Sequence, residues 1–105
     1  MERVVWNAVI RPGKKEEYIR RHQEVWPEMR ELFDRAGMRN YSIWCLGDRL
    51  FGYYEAEHGL AFARQTQAAS PHFHKWGESM RDLIEIDIDP ATGKPRLMEQ
   101  VFMHG

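Results

Sequence analysis

Apolar side chains alternate from Arg3 to Ile10, with Val4, Trp6, Ala8 and Ile10 on one side and Val5, Asn7 and Val9 on the other, until Pro12-Gly13 interrupts the run. Alternation that ends at a turn pair predicts a β-strand. From Lys14 to about Ala36 the spacing lengthens. Tyr18, His22, Trp26, Met29, Leu32, Phe33 and Ala36 fall on one helical stripe, and Gly37 supplies a left-handed stop. Pro27 lies inside that stretch, where it removes a backbone hydrogen bond and crowds the preceding turn. A kink is expected between Gln23 and Trp26.

Two apolar and aromatic runs follow, Tyr41–Leu46 and Leu50–Ala56, joined by Gly47-Asp48-Arg49; they predict a hairpin. His58–Ala69 predicts a helix. Ser70-Pro71 then has the form of an N-cap followed by proline at the first helical position, and Phe73, Trp76, Met80, Leu83 and Ile84 trace the next buried stripe. Residues 87–96 contain Pro90, Gly93 and Pro95 and predict a loop. Leu97–Met103 alternates again and is expected to form the closing strand.

The order strand, helix, strand, strand, helix, strand is the split βαββαβ unit of the α+β ferredoxin-like fold, an antiparallel sheet with helices on one face. No repeat or flexible linker divides residues 1–105, so a single domain is expected. The strands are apolar on both sides, and helices cover only one. A second copy packed sheet to sheet would cover the other, giving a homodimer with a dimeric α/β barrel. An open face that encloses a ligand pocket is the alternative, and the two are compatible.

Charge and cysteine content narrow the partners. Fifteen Lys and Arg are interspersed with 16 Asp and Glu, which leaves no electrostatic footprint for nucleic acid or a charged membrane. Cys45 is the only cysteine, which excludes an internal disulfide or a thiolate-rich metal site and predicts a reducing, cytoplasmic location. Charges on both sides of the first apolar run argue against a signal peptide or a membrane span.

Candidate chemistry centres on one helix face. Tyr18, His22 and Trp26 recur every fourth residue and stack one above another. A phenol, an imidazole and an indole turned toward the sheet would wall a small-molecule site. The bland alternative, a histidine hydrogen-bonded in the core or at its edge, is the commoner fate of such a residue. Tyr41 and Trp76 are likewise core residues as readily as ligand platforms. His72 and His74, two apart, diverge on a helix and make no metal pair. Glu55 and Glu57 share a strand side and read equally as a solvated edge. With no phosphate loop, nucleophile elbow or zinc spacing, no cofactor and no metal are expected. One histidine with phenols suits proton transfer, worth about 10²–10⁴-fold.

The segment EEYIRRHQEVWPEM, followed in register by NYSIW, by Lys75-Trp76 and by a closing EQVF, resembles the L-rhamnose mutarotase family over nearly the whole chain. The Tyr-x-x-x-His-x-x-x-Trp-Pro-Glu core is its most specific part. The resemblance implies a cofactor-free, homodimeric isomerase that interconverts the α and β anomers of a 6-deoxy-L-hexose, L-rhamnose or L-fucose. It implies His22 as the acid/base residue and Tyr18 and Tyr41 as sugar contacts. Trp76 and Gly77 stand where the family has paired tryptophans. Gly77 departs from that pattern and removes a ring from the pocket wall, which bears on the choice of sugar. Val9, Ile10 or Phe102 would wall the sugar's C5 methyl. The same fold hosts cofactor-free monooxygenases and non-catalytic small-ligand-binding proteins, which stand as alternatives.

Overall fold

β1 (Glu2–Ile10) is the sheet's organising strand in the computed structural model, which describes residues 1–105. It pairs antiparallel with β3 (Arg49–Ala56), from Glu2 opposite Ala56 to Val9 opposite Arg49, and with the short β4 (Ile84–Ile86). β2 (Met38–Leu46) lies outside β3, so the order is β2-β3-β1-β4, the ferredoxin-like arrangement. Four helices complete the chain: α1 (Lys15–Gln23), α2 (Pro27–Arg35), α3 (Leu60–Ala68) and α4 (Pro71–Met80).

The alternation along β1 and β3 sorts the two faces as expected. Val4, Ala8, Ile10, Leu50, Tyr54 and Ala56 are buried beneath helices. Between them runs a row of Trp6, Gly52 and Ile43. A Cβ on Gly52 would stand 2.0 Å from the Trp6 ring, so the indole lies across a position that only glycine can fill. Trp6 thereby packs against both core clusters, one built on Ala8, Tyr18 and Leu50, the other on Val4, Met38 and Tyr54.

The expected single kinked helix is two helices. Trp26 is extended (φ −57°, ψ 139°), and Pro27 opens α2 at its first position rather than bending a continuous helix. A proline ring disfavours helical backbone in the residue before it, while its missing N–H costs nothing at a helix start. α1 closes at Glu24, whose N–H donates to the Arg21 carbonyl. Ser70 caps α4 as expected, its hydroxyl accepting from the Phe73 N–H at 3.4 Å.

The closing strand is also relocated. α4 ends at Met80, and Ile84, assigned above to its stripe, begins β4. Ile84-Glu85-Ile86 is too short an alternation to stand out against a helical stripe. After it, residues 87–96 leave the sheet as a hairpin excursion, with Ile88 opposite Pro95 and the Arg96 N–H donating to the Asp87 carbonyl at 2.8 Å. The chain then returns to β1 for one bridge, Leu97 opposite Trp6, and a Met98 N–H to Val5 carbonyl bond of 2.8 Å. Leu97–Met103 is therefore not a strand, and Phe102 is 80% exposed.

Candidate active site

α1 lies over the sheet with Tyr18 and His22 on its inner side, as their four-residue spacing requires. Between this helix and Ile10, Ile43, Cys45 and Leu50 opens a cleft of about 270 Å³. Its polar equipment is Lys15, His22, Gln23 and the Tyr18 hydroxyl.

The His22 ring stacks at a tilt on Tyr18, with centroids 4.1 Å apart. Its Nδ1 is 2.9 Å from the Tyr18 carbonyl oxygen. A carbonyl only accepts, so Nδ1 carries the proton and Nε2 presents its lone pair. Burial lowers the His22 pKa, and the bond to the Tyr18 carbonyl partly offsets this. The imidazole is therefore neutral at neutral pH, the form of a general base.

Tyr18 is only 4% exposed, and its hydroxyl makes no hydrogen bond within the chain. No fully buried side-chain oxygen or nitrogen lacks a partner, so this hydroxyl reaches the cleft. Burial raises its pKa, and the neighbouring Tyr41 and Cys45 raise it further. The phenol stays protonated and can donate.

Trp76, on α4, meets the edge of His22 at 5.4 Å and of Trp26 at 5.1 Å between centroids. It buttresses the histidine from behind rather than lining the cleft. Arg21 fastens the same two helices, donating to Glu17 on α1 and to the Ser79 carbonyl on α4. Tyr41, half-buried, stands edge-on to Phe33 and Tyr54, where burial raises its pKa as well. A bulge between Arg39 and Ser42, with Asn40 at φ 52°, accompanies that placement. Gly77 is exposed, with nothing within 4 Å of where a Cβ would stand.

Tyr18, His22 and Trp76 are thus brought together, Tyr41 is a neighbour of Tyr18, and Gly77 lies outside the cleft. Of the apolar residues expected to face a sugar methyl, only Ile10 lines it. Val9 belongs to the opposite face of β1, and Phe102 is on the exposed terminal segment. Glu55 accepts from Tyr53 and Asn40, and Glu57 pairs with Arg39; neither lines the cleft. Lys15, Gln23 and Cys45 escaped the sequence reading. Lys15 alone left a trace there, standing three residues before Tyr18 and seven before His22 on the same face.

Fold and cleft together define a small α+β protein with a histidine and a tyrosine beside a cleft between helix and sheet. Residues 3–104 match the family model described as L-rhamnose mutarotase. The chain is 49% identical to the L-rhamnose mutarotase of Listeria monocytogenes and 31% identical to that of Burkholderia ambifaria, with 98% of this chain and 99% of each relative covered. It superposes on the crystal structure of L-rhamnose mutarotase from Formosa agariphila with a TM-score of 0.77 at 25% identity, over the full length of both. The chain belongs to the L-rhamnose mutarotase family, whose members are anomer-interconverting isomerases. No helix is long and apolar enough to cross a membrane.

Proposed function

We propose that this protein interconverts the α and β anomers of L-rhamnose, with L-fucose as the competing substrate, and that His22 and Tyr18 exchange the protons. The observation that carries this reading is the His22 Nδ1 bond to the Tyr18 carbonyl. It leaves a neutral Nε2 beside Tyr18, whose hydroxyl opens to the cleft without a partner in the chain. In the forward direction Nε2 takes the proton of the anomeric hydroxyl while the Tyr18 hydroxyl gives one to the ring oxygen. The bond between the anomeric carbon and the ring oxygen breaks, leaving an open-chain aldehyde. Rotation about the neighbouring C–C bond exposes the other carbonyl face. Reclosure returns the proton from imidazolium to the new anomeric oxygen and that of the C5 hydroxyl to Tyr18. Burial disfavours a free phenolate, so through the open-chain state the Tyr18 oxygen stays hydrogen-bonded to the C5 hydroxyl that took its proton. Such acid/base assistance is worth about 10²–10⁴-fold, enough for a reaction whose uncatalysed barrier is low.

In this reading Trp76 holds the His22 ring in place, Ile10 faces the sugar methyl, and Tyr41 and Gly77 bear on substrate fit from outside the cleft. We also propose a symmetric homodimer and a cytoplasmic location. The open sheet face carries Val5, Val9, Phe51 and, 68% and 77% exposed, Trp44 and Leu46. Light scattering on the purified protein should give twice the chain mass. The decisive experiment for the activity is NMR anomer exchange with L-rhamnose, L-fucose and related sugars. Acceleration above buffer is expected for L-rhamnose, and a flat result across the panel would sink the proposal.

A further inference from the structure

The cleft does not end at Lys15. A second, larger groove of about 520 Å³ adjoins it, sharing Ile10 and Lys15 and continuing over Arg11, Gly13, Gly47 and Asp48. Its two rims are pinned to the fold. The Ile10 N–H donates to the Asp48 carbonyl at 2.7 Å, and Arg11 Nε donates to the Arg81 carbonyl at 3.1 Å. Gly13 and Gly47 have φ of +76° and +64°, with open space where a Cβ would stand, so a ligand can approach the backbone there.

The two compartments differ in chemistry. Around His22 the lining residues are mainly hydrophobic and uncharged, whereas the groove combines Val9, Ile10 and Pro12 with the charged Arg11, Lys15 and Asp48. The Lys15 ammonium and the Asp48 carboxylate form no ion pair within the chain and face the groove as a free donor and a free acceptor. Lys15 precedes His22 by seven residues, about 10 Å along the helix axis. Helical side chains lean toward the N-terminus, which carries its ammonium further from His22. A pyranose with its anomeric carbon at His22 passes Tyr18 and ends short of that ammonium. The groove begins where a second ring would lie.

We infer that the site has two compartments and that the second accepts a sugar unit attached to a non-anomeric hydroxyl of the 6-deoxyhexose. Asp48 accepts from its hydroxyls and Lys15 donates to them. The substrate class is a reducing disaccharide whose free anomeric centre reaches His22. This inference rests on the mutarotase reading, and the test separates the two. NMR anomer exchange is measured for free L-rhamnose and for a disaccharide with L-rhamnose at its reducing end, on the wild type, Asp48→Ala and Asp48→Asn. The wild type should show kcat/KM about tenfold higher for the disaccharide. Asp48→Ala should bring that ratio near one through KM; its turn survives because the backbone carbonyl, not the carboxylate, holds Ile10. Asp48→Asn keeps an uncharged acceptor and should lower the ratio in part, which tests the same contact should Asp48→Ala fold poorly. Exchange of free L-rhamnose with no disaccharide preference, or a preference kept in full in both variants, overturns the second compartment alone. No exchange of either sugar overturns the mutarotase reading beneath it.

Discussion

The helix-covered face of the sheet has two unlike halves. Beneath α2 and α3, Ala36, Ala56 and Ala63 are fully buried, because small side chains let helix and sheet approach until no space is left. Beneath α1, the contact is made by Tyr18 and His22, whose length and polar tips hold the helix off Ile43, Cys45 and Leu50. A gap with polar groups at its edge results. Closure and opening thus follow from residue size and polarity at the contact, on one sheet and in one fold.

Several substitutions would break this contrast or sharpen it. The largest effect on stability belongs to the closed half. Leu32→Ala, at a position with no exposure, should cost about 4 kcal/mol in chemical denaturation and leave the anomer-exchange rate per folded molecule unchanged. A rate loss there would mean that the halves are not independent. The open half should respond in the opposite way. His22→Ala is expected to lower kcat at least 100-fold, about 3 kcal/mol in barrier, with its denaturation midpoint close to the wild type. If the midpoint fell and the rate held, His22 would be a core residue.

Gly52→Ala tests the seam between them. Its methyl would meet the Trp6 indole at 2.0 Å and force that ring off both clusters, at about 2 kcal/mol by thermal unfolding. The smallest effect is on pH dependence. Because burial depresses the His22 pKa below its ordinary 6.5, the unfolded chain binds more protons as the pH falls through that value. The contribution of His22 to stability is therefore present above pH 6.5 and lost on going below it. The acid limb of kcat/KM, read by anomer exchange across pH, should lie below 6.5 for the same reason. A limb above 6.5 would contradict a buried, neutral base.

Much of this was legible in residue order. The alternation of β1 and β3, the Ser70-Pro71 helix start and the Tyr18-His22 register are local consequences of backbone period, and each stands where the pattern put it. Pro27 was ambiguous because a proline inside a helix and one opening a helix look alike in a sequence; the extended Trp26 settled it. Three-residue β4 was hidden because so short a segment gains its conformation from pairing with Ala8 to Ile10, not from its own pattern. The tail EQVF alternates like a strand but finds no run of partners.

The candidate site divides along the same line. Side-chain identity and helical spacing place the imidazole and the phenol on one face, since that depends only on residues four apart. The same helical period sets the Tyr18 carbonyl against His22 Nδ1, whereas tertiary packing alone decides that Trp76 arrives from α4 to brace the ring and that Ile10, Ile43, Cys45 and Leu50 close the cleft. Those relations join segments distant in the chain, where no periodicity reaches and only the buried contacts of the folded sheet bring them together.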